Sequence, residues 1–233
     1  MRVLDKGFVE LVDVMGTERS IVNAARVSFA KDAEPYLALS SRDVELIEYL
    51  LVNNHTSPFE HVVLTLHVKC PLFIRSQWMR HRTQSFNELS RRYTSDDIEF
   101  YIPESLRKQA SSNRQASTDD TVDYILDGYC DADGPDYKGT PVRDCLLRHA
   151  EKSLYLYESL IAQGVSREQA RMVLPQSMYT RFYTTVDLHN LLGFLRLRDS
   201  EHAQYEMRLY AKAVKELVRS KFPRILEIVE RNP

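Results

Sequence analysis

The chain has 233 residues, and its 31 Lys and Arg against 33 Asp and Glu leave a net charge of −2. That length holds one domain with a substantial core and is too short for two large ones. The charge balance excludes a general pull toward nucleic acid or an anionic membrane, so any basic site has to be local.

In chain order, Arg2, Asp5, Lys6 and Glu10 leave no room for a signal-peptide apolar region, and no apolar run reaches the length of a membrane span. The expectation is a soluble, unprocessed protein. Phe8 to Val14 reads as a strand and Glu18 to Val27 as a short helix. Ser40 with Asp43 three residues on can cap a helix whose Leu46, Ile47, Leu50 and Leu51 form an apolar stripe. Val62, Leu64, Leu66 and Val68 alternate with Val63, Thr65, His67 and Lys69, which is the period of a strand. Pro71 suits the first turn of a helix reaching about His81, and Arg82 to Tyr93, with neither period, reads as a structured loop.

From Pro103 to Pro141 the composition turns polar, and residues 104–141 read as an insertion or mobile excursion with one short helix near Val122 to Leu126. Val142 to Gln163 follows as a long amphipathic helix ending at Gly164, where a glycine can take the left-handed conformation. Ser166 and Gln169 suggest a capping box. Met178 to Val186 alternates as a strand, with Tyr179, Phe182 and Tyr183 assigned to packing. Asp187 can cap a helix with Leu188, Leu191, Leu192 and Leu195 inward, and a last helix runs from about Glu201 to Phe222. The fold class expected is α/β (α+β): one domain, residues 1–233, with a mainly antiparallel sheet flanked by helices.

Chemistry concentrates in one stretch. No G-x-G occurs, which removes the Rossmann and P-loop fingerprints, so a nucleotide would have to be held by side chains. Arg80 to Tyr93 supplies four guanidiniums, Glu88, Asn87, Ser85 and Ser90 in fourteen residues. A guanidinium fork matches phosphate oxygens two at a time and keeps its charge. Gln77 and Arg80, three apart on the preceding helix, can face the same ligand. A solvated charged loop is the plain alternative.

The residues Arg80, His81, Arg82, Ser85, Asn87, Glu88, Ser90, Arg92 and Tyr93 complete the motif R-H-R-x-x-S-x-N-E-x-S-x-R-Y, and in this the chain resembles the flavin-dependent thymidylate synthases. Ala24 to Phe29, His55 to His61, Tyr179 to Phe182, Leu197-Arg198 and Glu201 to Gln204 resemble segments of the same family. The resemblance implies a homotetramer with active sites shared between chains, FAD as cofactor, NADPH as reductant and methylenetetrahydrofolate as carbon donor for the conversion of dUMP to dTMP. It implies flavin contacts from Ser28, His55, Ser57, Glu60, Arg80, His81, Arg82, Asp187, His189, Leu197 and His202. It implies dUMP contacts from Gln77, Arg80, Glu88, Ser90, Arg91, Arg92, Arg181 and Arg198, with Arg198 stabilising charge on the pyrimidine and Ser90 and Arg92 holding the phosphate. Relatives often carry Asn and Arg where this chain has Asp187 and His189, and a larger polar residue in place of Gly193.

Other chemistries fit less well. His55, Glu60, His61 and His67 follow no metal-site spacing, so no metal is expected, and His67 reads as structural. Cys70, Cys130 and Cys145, odd in number and without C-x-x-C spacing, argue against disulfides and cysteine zinc sites and for a reducing cytoplasm. A cysteine-dependent thymidylate synthase would need a thiolate nucleophile, but Cys70 sits at a strand end, followed by Pro71 rather than preceded by a proline, and nothing nearby resembles that family. A nucleic-acid-binding module using Arg80 to Arg92 as a basic patch is the alternative from another class.

Overall fold

The computed structural model describes residues 1–30, 33, 38–111, 117–123 and 141–232. The chain opens with strands β1 (Arg2–Val3) and β2 (Gly7–Met15), paired antiparallel with Val3 opposite Gly7. Helices α1 (Glu18–Arg26) and α2 (Ser41–Val52) follow, each succeeded by a short 3-10 turn, Val27–Phe29 and Ser57–His61 respectively. Strand β3 (Val63–Pro71) runs into α3 (Leu72–Trp78), and β4 (Ser85–Glu88) comes after a turn. A hairpin of β5 (Leu106–Gln109) and β6 (Ser117–Val122) precedes α4 (Val142–Ala162) and the short α5 (Arg167–Ala170). Strand β7 (Tyr179–Asp187) and helices α6 (Leu188–Arg198), α7 (Tyr205–Lys221) and α8 (Pro223–Arg231) complete the chain.

Contacts group the chain into two units. The first comprises Met1–Lys69, Gln77–Glu88 and Arg181–Pro233, and the second Cys70–Ser76 and Leu89–Thr180. A five-stranded sheet in the order β1-β2-β3-β7-β4 carries the first unit, with β1–β2, β2–β3 and β4–β7 antiparallel. Its alternation is the one written in the sequence: Leu64, Leu66 and Val68 are fully buried while Val63, Thr65, His67 and Lys69 are half-buried. Helix α7 lies against β1 and β2, α6 and α8 against α7, and α2 against α8. Each fully buried Leu, Ile or Phe on these faces contributes about 1.5–3 kcal/mol. Gly7 is fixed by close approach, since a Cβ there would stand 2.0 Å from the Tyr210 hydroxyl, which donates to the Lys69 carbonyl at 2.8 Å.

In the second unit Tyr157, Ala170, Leu174 and Met178 form a core, joined by partly buried Leu72, Ile98 and Phe100. Gly164, at φ +86°, ends α4 as expected, and the Val165 amide donates to the Leu160 carbonyl at 3.0 Å.

Two caps form as read. The Ser40 hydroxyl accepts from the Asp43 amide at 3.3 Å while Asp43 accepts from the Ser40 amide at 2.8 Å, and Asp187 accepts from the Asn190 amide at 2.9 Å. Ser166 does not cap α5 with its side chain; its backbone carbonyl alone accepts from Gln169. Pro71 closes β3 instead of opening the next helix, which stops at Trp78. The expected loop 82–93 contains β4, held by pairing with β7. Residues 106–109 and 117–122 are a hairpin, so Val122 is strand; residues 124–126 of the expected helix lie outside the described residues. The last helix starts at Tyr205, and Pro223 opens a further one. Phe194 takes the inward place expected of Leu192, which is half-buried, and Tyr183 is half exposed.

Candidate active site

After α3 ends, the chain turns through residues 79–84, and the turn is pinned from inside. The indole of Trp78 donates to the Gln84 side-chain carbonyl at 3.1 Å, and the Thr184 hydroxyl donates to the same oxygen at 2.9 Å. All three residues are buried. The pinned turn leaves Arg80 and Arg82 exposed and His81 half-buried between them, with its ring edge-on to Phe194 at 4.9 Å.

Arg198, the last residue of α6, meets this turn. Its Nε donates to His81 Nε2 at 2.9 Å, and its Nη2 donates to the Gln77 carbonyl at 3.1 Å. That carbonyl belongs to the last turn of α3, where a cation is favoured, and it also accepts from the Arg80 amide at 3.4 Å. The Gln77 amide donates to the Gln204 carbonyl oxygen, and the Gln204 amide donates to Glu206 at 2.8 Å. Burial first, and then the charge of Arg198, hold the His81 pKa below the ordinary histidine value, and burial lowers that of Arg198. The first unit therefore brings together Gln77 and Arg198 from the implied dUMP set and His81 from the implied flavin set.

A cavity of about 900 Å³ opens elsewhere in the first unit, between the end of α2, helix α6 and helix α8. His55 and His189 stand on its wall with Thr56, Asn54, Leu192 and Gly193. A Cβ built on Gly193 would meet nothing within 4 Å. Lys215 also lines it, tied to Asp199 at 3.0 Å and Glu230 at 3.1 Å. Asp187 is taken up by its cap, both carboxylate oxygens accepting from Asn190, at 2.9 and 2.6 Å.

The remaining expected residues of the first unit are more dispersed. Ser28 sits on the exposed 3-10 turn after α1, Ser57 and Glu60 are exposed on the turn before β3, and Leu197 and His202 lie on the surface around the end of α6. Glu88 ends β4 opposite Phe182, and Arg181 is half-buried on β7.

In the second unit the loop after β4 is organised by Arg91. Its guanidinium is buried and donates to the Asp96 carbonyl and, at 3.0 Å, to the Asp97 carbonyl. The donors implied for dUMP thus hold the loop itself. Ser90 accepts from the Arg92 amide at 3.3 Å, and exposed Arg92 faces Glu168 at 3.6 Å. Tyr157 and Arg167 both donate to the Ser95 hydroxyl at 3.2 Å, bracing the loop against α4 and α5.

Sequence reasoning missed Gln84, Phe194, Gln204 and Glu206. Gln204 closes one of the segments that carried the resemblance, and that was its only signal. Also missed was a buried charge node in which Asp43 accepts from Arg19 at 3.0 Å and Arg26 at 2.5 Å. Among the described residues no group of His, Cys, Asp or Glu is placed to hold a metal, and no helix is long and apolar enough to cross a membrane.

This fold recurs in a solved structure, and the sequence matches a known family. The chain belongs to the thymidylate synthase complementing protein family, whose model matches residues 10–224. It is 48% identical over 222 residues to a flavin-dependent thymidylate synthase of Thermus thermophilus, covering 95% of this chain and 74% of that protein. With the flavin-dependent thymidylate synthase of Kosmotoga olearia it shares 43% identity, covering 96% and 90% of the two chains. A solved structure of the UMP/dUMP methylase PolB from Streptomyces cacaoi, bound with 5-Br dUMP, superposes with a TM-score of 0.79 at 32% identity, over 99% of this chain and 97% of that one.

Proposed function

We infer that this chain is a flavin-dependent thymidylate synthase that methylates dUMP at C5 to give dTMP. The observation that carries the reading is the Gln77–His81–Arg198 cluster, which joins His81 of the motif to Gln77 and Arg198, two residues that the resemblance implies for dUMP. FAD, when bound, supplies the hydride, and the folate supplies the carbon. The cavity bearing His55 and His189 has the size and donor set for part of a dinucleotide, and the open side of Gly193 leaves room for a flat ring against α6.

The chain's own residues bind, orient and stabilise charge. Arg198 offers a fixed cation for the negative charge that develops on the pyrimidine oxygens as C5 becomes nucleophilic. In the second unit Arg92 is exposed, with the Ser90 hydroxyl beside it, and this pair is the proposed phosphate contact. Cys70 is fully buried at the end of β3, which removes it as a nucleophile. The nucleic-acid alternative gains no support, because Arg91 is turned into loop carbonyls and so is withdrawn from a solvent-facing patch.

NADPH as reductant, methylenetetrahydrofolate as carbon donor, a cytoplasmic homotetramer and completion of the dUMP site by Arg181 of a neighbouring subunit form the finer part of the proposal. The test is the absorption spectrum of the purified protein. Flavin bands that bleach with NADPH and return anaerobically only when both dUMP and methylenetetrahydrofolate are added, with dTMP formed, meet it. A colourless protein that neither takes up FAD nor makes dTMP refutes it. Mixing inactive Arg181→Ala and Arg92→Ala proteins after joint unfolding tests the shared site, because hybrid tetramers regain activity only if the two arginines act across chains.

A further inference from the structure

We infer that His81 is a positioning residue whose neutral imidazole aims Arg198 at the substrate, and that protonating this ring releases the guanidinium. The inference rests on the reading of Arg198 as a dUMP contact. An arginine Nε carries a hydrogen at any relevant pH and has no lone pair to offer, so in the 2.9 Å contact it is the donor and His81 Nε2 is the acceptor. An imidazole that accepts at Nε2 is neutral, with its one proton on Nδ1. Protonation would place an N–H against an N–H and two cations at hydrogen-bond distance.

The geometry makes the consequence directional. Arg198 has two holds, Nε on His81 and Nη2 on the Gln77 carbonyl. Losing the first leaves it on one contact, free to pivot about the end of α3. The His81 ring cannot follow, because Phe194 stands edge-on to it at 4.9 Å and the Gln84 hydrogen bonds fix its turn. Arg198 is the charged group acting on the ring, since the neighbours Arg80 and Arg82 are exposed, and it disfavours the imidazolium along with burial. The aligned state therefore prevails at neutral pH and is lost only as the pH falls below the ordinary histidine range. A glutamine in place of His81 can present its carbonyl oxygen near the Nε2 position and does not titrate. A phenylalanine keeps the edge contact and offers no acceptor.

The experiment measures the dissociation constant of dUMP by calorimetry on flavin-saturated wild-type, His81→Gln and His81→Phe proteins at about pH 5.5 and about pH 8. The substrate phosphate titrates in this range equally for all three, so the readout is the ratio of the two constants. The wild-type ratio should exceed that of His81→Gln, by less than about tenfold because the ring titrates below the ordinary histidine value, and His81→Phe should bind about tenfold more weakly than His81→Gln at the higher pH. Equal ratios in wild type and His81→Gln, or equal affinities of the two variants, overturn the inference. Nitrogen-15 spectra of ring-labelled histidine, assigned by the signal lost in His81→Gln, read the tautomer without any ligand. A proton on Nε2 at the higher pH overturns the inference whatever dUMP does. Wild-type protein that has the expected tautomer and binds no dUMP at either pH instead overturns the proposed function, and with it the substrate arm of this inference.

Discussion

Trp78 and Thr184 donate to one oxygen, the side-chain carbonyl of Gln84, from a helix end and from a strand 100 residues on from Gln84. Replacing Gln84 by alanine strands two buried donors at once. Each costs about 1–3 kcal/mol, so Gln84→Ala should lose about 2 kcal/mol or more in urea denaturation. A loss below about 0.5 kcal/mol would mean that the turn before β4 is held by something other than this shared acceptor.

Arg91 and Arg92 are adjacent and should behave oppositely. The Arg92–Glu168 pair is long and more than half exposed on both sides, and such pairs contribute about 0–1 kcal/mol. Arg92→Ala should therefore leave the melting temperature nearly unchanged while weakening dUMP binding by about tenfold to a hundredfold. Arg91→Ala should instead unfold more easily, because the Asp96 and Asp97 carbonyls lose their donor. Parallel melting and dUMP titration of the two variants decide the matter, and equal melting temperatures would contradict the assignment.

Asp43 should make stability fall in acid. Burial alone would raise its pKa, but hydrogen bonds from the Ser40 amide and hydroxyl and the charges of Arg19 and Arg26 hold it below the ordinary aspartate value. A carboxyl depressed in the folded state stabilises it above the unfolded pKa, near 4, and that contribution is lost as the pH drops through the lower folded value. Asp43→Asn, which leaves two guanidiniums without their counter-charge, should cost about 3 kcal/mol at neutral pH and flatten the decline below about pH 4. Denaturation midpoints recorded from neutral pH downward in both proteins would reveal it, and parallel curves would sink it.

Gly193 lies inside α6, where glycine costs about 0.5–1 kcal/mol relative to alanine. Its added Cβ would meet nothing, so Gly193→Ala should raise the melting temperature of flavin-free protein. The same methyl group would protrude into the cavity, so the variant should also hold FAD less tightly. Unchanged FAD affinity in a stabilised variant would place the cofactor elsewhere.

What could be read from the sequence was local. The caps at Ser40 and Asp187 and the alternation of β3 need only neighbours a few residues away, and they form as read. β4 was hidden because Ser85-Phe86-Asn87-Glu88 offers one apolar side chain, and only pairing with β7 makes it a strand. The β5–β6 pair was hidden for the same reason, since Leu106 and Val122 are its only apolar residues. The motif located the basic turn, yet the contact between Arg198 and His81 spans 117 residues and follows no spacing. Nor does any pattern tell that Arg91 points into its own loop while Arg92 points out.

The chain has a single tryptophan, and it is Trp78, fully buried at the end of α3. Its ring lies 4.8 Å from that of Phe194, which supports His81 on another side, and its N–H is spent on Gln84. The molecule therefore carries one intrinsic indole fluorophore, seated directly behind the cluster that the basic motif builds. Its emission should be blue-shifted in the resting protein, quenched by energy transfer to an oxidised flavin, and restored as the flavin is bleached. Events at His81 and Arg198 can thus be followed in the stopped flow with no label, and with no second indole to confuse the trace.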